Sequence, residues 1–427
     1  MLIQKLDNFL LPFYPTSKFS RYYYIRKDFF SFKLKPTAKA IIKLLSHFQS
    51  LLFLSFYLIP AILIYLFGYR IFLVDLHQIG IASFLDWHIK KKLLSNINTK
   101  KIIVFRAKHY PLANDFLLDK YNNYVTFLSG FFIRAICLPF TYFPFLVENF
   151  FEYDISFNKT SEAKKIFNDF NKKYKEKTLI KFSLEEKSSY EKIINDKLKI
   201  HPYRYVTLHI RSSYFNNEKH ESSRNSNIET YFSAIKFLVD AGLKVVIVGD
   251  NNFQYVKYLE EYFKNNFVNY SNSRFRTKEL DIFILSECFF HIGTNSGLSY
   301  FSSLQGRPTL YVNMYYADAS LGFLEHDLTI FKKYMKNGEL LSLKDYFSSP
   351  YRRLYYRQEM QSLGLVLVDN SEDEILEATK EIYRNLNCGE IKVSKIQRKV
   401  KNMIASDSFS YHSVSNFSNY FLLNYKK

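Results

Sequence analysis

Between Tyr203 and Asn387 the sequence alternates short apolar runs with longer amphipathic ones, and this alternation constrains the fold more than any other feature. Tyr203–His209 (YRYVTLH) reads as a strand. Asn227–Ala241 then places Tyr231, Ile235, Leu238 and Val239 on one helical face, and Gly242 ends the helix. Leu243–Gly249 (LKVVIVG) is almost continuously apolar, as a strand buried on both faces of a parallel sheet must be. Helical patterns over Phe253–Phe263 and Leu280–Cys288 lead to a strand at Phe289–Gly293 and a glycine-bearing loop. A helix at Leu298–Leu304, a turn at Gly306 and Pro308, and a strand at Thr309–Asn313 follow. Ser371 and Glu374 form a capping box for a last helix that runs to about Asn387, before Gly389. Strands separated by helices pair in parallel through right-handed crossovers, so the expected fold class is α/β with a doubly wound sheet.

The first half is less regular. Arg70–Asp75 (RIFLVD) has a strand pattern, a loop with Gly80 and a helix-capable stretch Ile81–Leu94 follow, and Lys101–Arg106 (KIIVFR) repeats the strand signal. This is how a second doubly wound domain would open. Asn158–Lys199, rich in Lys and Glu, reads as surface helices leading into a linker. At 427 residues the chain exceeds what one core organises. The expected division is a basic and apolar N-terminus over 1–69, a first domain over 70–200, a second over 201–389, and a basic tail over 390–427. The tail is expected to pack back across the first domain as a closing helix. A hydrophobic fraction of 48% with 23% charged residues excludes both a disordered chain and a polytopic membrane protein.

Leu51–Phe67 (LLFLSFYLIPAILIYLF) is an uncharged run near the lower limit, about 17 residues, of a membrane-spanning helix. A long basic segment with Lys18, Arg21, Arg26, Lys27, Lys33, Lys35, Lys39 and Lys43 precedes it, and no small-residue cleavage site follows, so it is not read as a signal peptide. Pro60 admits a kinked, re-entrant or interfacial segment, and the alternative is a buried helix of the first domain. Tyr124–Phe151, apolar and aromatic around Arg134, reads as a membrane-facing or ligand-facing surface. The expectation is attachment to the cytoplasmic face of the inner membrane, with the basic N-terminus on anionic lipid.

The net charge of +19 suits anionic partners. Without zinc-finger spacing, an RNP-type aromatic signature or an isolated basic helix, nucleic acid is not among them. Cys137, Cys288 and Cys388 are widely spaced with no CxxC pair, which suggests a reducing compartment and no metal centre.

In open α/β sheets ligands bind beyond the carboxyl ends of the strands. His209 and Arg211 alternate to one side of the first strand, where Arg211 either presents its fork to a phosphate or closes a strand-end ion pair. Gly293, Thr294, Asn295, Ser296 and Gly297 lead directly into a helix and form either an anion cradle or a plain helix cap. Asp250 ends the VIVGD strand at the same edge. Arg224 and Asn225 stand in a loop before a helix, as phosphate-binding or surface residues, and Asp281 stands at the head of another, for a ribose, a base or the cap.

The ordered segments LHIRSS, SSRNSNIETYFSAIKFLVDAGLKVVIVGD and KELDIFILSECFFHIGTNSGLSYFSSLQGRPTLYVN resemble a bacterial family of glycosyltransferases associated with surface-polysaccharide synthesis. That family repeats an H-x-R element, an RN-S-(D/N)-I element, a GD strand end and a GT-(S/N)-SG loop in this order. The likeness covers the second half well, and more weakly residues 70–94 and 411–425. It implies a GT-B architecture of two Rossmann-like domains, a nucleotide sugar as co-substrate, a glycan or lipid-linked acceptor, and no cofactor or metal. H-x-R and GT-x-S are also similar to GT-B fucosyltransferases, whose arginine holds the donor diphosphate. This implies that role for Arg211, with Thr294–Ser296 on the phosphates. Those enzymes carry an acidic residue soon after H-x-R, whereas Ser212 and Ser213 follow here, so fucose is not implied.

An inverting enzyme would also want a catalytic base from the first domain, where His77, His88, His109 and Asp115 are available and His77, before Gly80, is preferred. Asp86-Trp87-His88 is a poor stand-in for a metal-binding DxD. The alternatives are a pyruvyl transferase using phosphoenolpyruvate on the same scaffold, or a non-catalytic, membrane-attached glycan-assembly scaffold.

Overall fold

The computed structural model describes residues 55–72, 79–105, 114–128, 138–143, 145–148, 162–176, 178–211, 223–249 and 254–425. The chain forms two compact units, one of residues 1–75, 98–111 and 122–151, the other of 76–97, 112–121 and 152–427. The segment 70–200 is therefore shared between the two.

In the first unit, strands β1 (Arg70–Phe72), β2 (Ile102–Phe105), β3 (Thr126–Leu128) and β4 (Val147–Glu148) form a sheet of order β3-β2-β1-β4. Every pairing in it is parallel. Helix α1 (residues 55–66) seats Ala61 against Ile71, Phe143 and Leu146, with Tyr57 and Ile64 on the same inward stripe.

The second unit is built on β5 (Tyr205–His209), β6 (Lys244–Ile247), β7 (Phe267–Asn269), β8 (His291–Gly293), β9 (Thr309–Met314), β10 (Leu328–Phe331) and β14 (Asn416–Phe417). A three-stranded antiparallel sheet of β11 (Lys333–Lys336), β12 (Glu339–Leu340) and β13 (Leu365–Val368) stands beside it. The large sheet runs β14-β10-β9-β8-β5-β6-β7, parallel throughout. β5 and β9 are buried along their whole lengths, as their apolar sequences require.

Among the helices of this unit are α2 (Ile79–Leu94), α3 (Asp115–Tyr121), α4 (Glu162–Tyr174), α5 (Leu184–Ile193), α6 (Phe232–Asp240), α7 (Tyr255–Phe263), α8 (Lys278–Ser286), α9 (Gly297–Leu304), α10 (Glu372–Cys388), α11 (Lys395–Lys401) and α12 (Asn419–Asn424). Their ends follow local chemistry. Ser371 and Glu374 cap α10 reciprocally and left-handed Gly389 closes it, as the sequence suggests. Helix α8 begins earlier than expected because Thr277 accepts from the Leu280 amide. The tail adds β14 beside β10, where Gln397 of α11 donates to the Phe417 carbonyl at 2.7 Å, and its His412 carbonyl accepts from Asn168 of α4, within the segment 70–200, at 3.1 Å.

Candidate active site

Counted from β5, the first six strands of the large sheet have the spatial order 3-2-1-4-5-6. The order reverses between β5 and β8, where successive crossovers leave to opposite sides and open a crevice at the strand ends. His209 and Gly293 are register partners at this point, so the two chains leave the sheet at the same level.

Beyond that pair the loops clasp each other. The Thr294 amide donates to the His209 carbonyl at 3.2 Å, and the Arg211 amide donates to Thr294 Oγ1 at 3.1 Å. Ser296 Oγ lies 3.0 Å from His209 Nδ1 and also accepts from the Leu298 amide, which makes Ser296 the N-cap of α9. His209, Arg211, Thr294 and Ser296 are all buried, and Asn295 is half-buried. Two buried side chains of opposite loops thus meet over a helix N-terminus, whose dipole favours an anion.

The glycines of the loop are fixed by neighbours. A Cβ at Gly293 would stand 2.1 Å from Ser299 Oγ and 2.5 Å from His291 Nε2. One at Gly297 would stand 2.5 Å from the Gly80 nitrogen and 2.6 Å from the Gly80 Cα. The first turns of α2 and α9 therefore touch backbone to backbone, and Gly80, three residues after His77 in the sequence, is in contact with the cradle.

A second layer holds the arginine loop. The Ser226 amide donates to the Arg211 carbonyl at 3.2 Å, and Asn313 Nδ2 reaches Ser226 Oγ at 2.5 Å. Asn313, left-handed at φ 55°, also exchanges hydrogen bonds with Asn370, which joins the end of β9 to the start of α10. The Asn225 carbonyl accepts from Lys332 Nζ at 2.6 Å, and Lys332 pairs with Asp369 at 2.7 Å. Arg224 lies half-buried beside this loop. Burial, then Tyr355, pushes the Tyr315 phenol up, while Arg224 and Arg211 pull it down, so both guanidinium groups act on the first residue after β9.

Other expected residues lie elsewhere. Asp281 is not the cap of α8, since Thr277 fills that place, and it pairs with Arg276 at 3.3 Å. Asp115 is half-exposed and bound to Lys278 at 2.7 Å. Asp86 forms a fully buried ion pair with Lys90 at 2.7 Å and accepts from the Tyr121 hydroxyl. His88, one residue further along α2 than Trp87, is buried, and burial, aided by Lys92 and Lys91, pushes its imidazole down to about 3. The Asp86-Trp87-His88 stretch is thus interior to the unit, and no group of three or more metal-ligating side chains occurs among the described residues. His77, His109 and Asp250 lie outside the described residues.

The residues that sequence reasoning missed are Ser226, Asn313, Tyr315 and Asn370, which tie three strand ends together. The only local signal is Asn313, a residue type suited to a left-handed position at a strand end.

No family model matches the sequence, and no curated protein does. Among solved structures the chain is similar to E. coli ADP-heptose LPS heptosyltransferase II, at 13% identity over 75% of this chain and 100% of that one, with a TM-score of 0.43. It is similar to a glycosyl transferase family 9 protein of Veillonella parvula DSM 2008, at 11% identity over 74% and 97% of the two chains, with a TM-score of 0.45. A third likeness is the dodecameric iron-containing heptosyltransferase TibC, solved with ADP-D-beta-D-heptose, at 12% identity over 74% and 77%, with a TM-score of 0.39.

Proposed function

We propose that the protein is a glycosyltransferase that moves a sugar from a nucleotide-sugar donor to a glycan or lipid-linked acceptor in cell-surface polysaccharide synthesis, without a metal ion. The observation that carries this reading is the hydrogen bond by which the Arg211 amide meets Thr294 of the Gly293–Gly297 loop at the order reversal of the large sheet. When a sugar leaves its nucleotide, negative charge grows on the departing diphosphate, and stabilising that charge is the main electrostatic demand of the reaction. A buried guanidinium, a second arginine and a helix N-terminus supply positive potential without a metal cation. Arg211 takes the diphosphate, Thr294, Asn295 and Ser296 line the cradle, and His209 is held by Ser296. Arg224 and Asn225 border the donor, Asp250 is placed at the same sheet edge by sequence, and Asp281 faces the ribose only if Arg276 releases it. His77 is the proposed base that deprotonates the acceptor hydroxyl.

The test is thermal stabilisation by a panel of sugar nucleotides and phosphoenolpyruvate, on wild type and on Arg211→Ala. One nucleotide class should stabilise the wild type, and the variant should lose about a hundredfold or more in affinity, the scale for truncating a buried charged hydrogen-bonding group. Turnover should survive a chelator. Stabilisation by phosphoenolpyruvate alone would instead identify a pyruvyl transferase, and no stabilisation by any donor would leave a non-catalytic scaffold.

A further inference from the structure

Helix α1 turns Tyr57, Ala61 and Ile64 inward, and its outward face carries no charged side chain. Phe56 is 78% exposed, Ile59 69%, Leu66 71% and Phe67, just beyond the helix, 67%. Phe145, also exposed, meets the Tyr65 ring edge-on at 5.5 Å and widens the patch. A helix on a protein surface in water normally turns charged residues outward, and an apolar face of this extent marks a partner.

We propose that α1 docks the first unit on an anionic lipid surface, lying in the headgroup–acyl boundary of the cytoplasmic leaflet without crossing it. No described helix is long and apolar enough to span a membrane. Charge argues for lipid over protein. At the C-terminal end of α1, Lys101 Nζ donates to the Phe67 carbonyl at 2.8 Å. The Arg70 guanidinium donates to the Tyr65 and Tyr69 carbonyls and lies 3.8 Å over the Tyr65 ring. Cations and tyrosines gathered at the rim of an apolar face are what an interfacial anchor presents to phosphates and glycerol. Residues 18–43 add eight Lys and Arg against the single acid Asp28, a charge complement to anionic headgroups. A protein interface mixes polar groups into its contact face, whereas this one is uniformly apolar. The inference goes beyond the proposed activity and stands without it.

The test is flotation of the full chain with vesicles of phosphatidylcholine alone and of phosphatidylcholine with phosphatidylglycerol. The wild type should float with the anionic vesicles and weakly with the neutral ones. A variant with Phe56→Ser, Ile59→Ser and Leu66→Ser, all solvent-facing, should keep its thermal unfolding transition and lose partitioning by about a hundredfold or more. Phe56→Ser alone should lose less, in proportion to its area. The proposal is overturned if the folded variants float like wild type, or if wild type binds neither vesicle. A lipid-free oligomer of the wild type that the triple variant dissolves would also overturn it, in favour of a second copy of this chain.

Discussion

Asp86 and Arg211 are both charged and both buried, yet they sit in opposite circumstances. Asp86 is in the middle of α2, paired one turn away with Lys90, whose ammonium stands 4.3 Å over the Phe167 ring of α4. Arg211 leaves the end of a strand at the order reversal of a parallel sheet, with its amide on Thr294 of the loop that opens α9, and both it and Arg224 act on Tyr315. The comparison shows that burial of charge alone does not mark a site. In α2 the charge is paired within one helix, while at the strand end two arginines from different loops act on one tyrosine. Measurements on the two regions should therefore separate cleanly into stability and binding.

The largest effect is expected in α2. Lys90→Met leaves Asp86 buried with only the Tyr121 hydroxyl, and removing one partner of a buried pair costs about 3–5 kcal/mol. Replacing both, Asp86→Leu with Lys90→Met, should restore most of that stability, since apolar residues of similar size pack as well as the pair. Donor affinity should be unchanged in the double variant. Chemical denaturation and donor titration on the same preparations check both halves, and a double variant that folds but binds no donor would break the contrast.

Acid should expose the same region. His88 is held neutral in the fold, with its imidazole near 3 against an ordinary 6.5. Above about 6.5 both folded and unfolded forms are neutral, and the group costs nothing. As pH falls from about 6.5 toward 3, only the unfolded chain takes up the proton, so stability drops progressively, by on the order of 4–5 kcal/mol in all. A stability–pH curve of His88→Gln should be flatter over that window than that of the wild type. If the two curves run parallel, the acid sensitivity belongs to other groups.

Gly297→Ala tests the strand-end region by geometry. The new methyl would press on the Gly80 backbone from 2.5 Å, so α2 and α9 must part, at about 1–3 kcal/mol. Because α9 forms the cradle, donor affinity should fall with stability here. A loss of stability with full donor affinity would separate the contact from the site.

How much of this was legible follows from where the signals are local. Strands such as Leu243–Gly249 and the loop Gly293–Gly297 announce themselves through residue type, since only apolar runs survive inside a parallel sheet and only glycine fits against His291 and Gly80. β7, β10 and β14 carry two to four residues each, too short for periodicity, and β14 reaches the sheet from the far end of the chain. Ser226, Asn313 and Asn370 are tied by contacts across 57 to 87 residues of sequence, and nothing at any one of them signals the others. Tyr315 is one of 35 tyrosines. The role of Asp86 is local too: Lys90 stands four residues on, the spacing of the helical ion pair that the two residues form.

The smallest effect is the most discriminating. Ser296 Oγ accepts from the Leu298 amide at 3.2 Å and meets His209 Nδ1 at 3.0 Å, so it serves as helix cap and imidazole partner at once. As a cap alone, Ser296→Ala should cost about 1 kcal/mol of stability. If it also orients His209 toward the donor, affinity should drop several-fold beyond that, and Ser296→Thr, which keeps the hydroxyl, should recover both. Stability lost with affinity retained would reduce Ser296 to a cap and leave donor recognition to Arg211 and the loop amides. Affinity lost with stability retained would instead give the His209 contact the larger part, and would set the boundary between scaffold and site inside a single side chain.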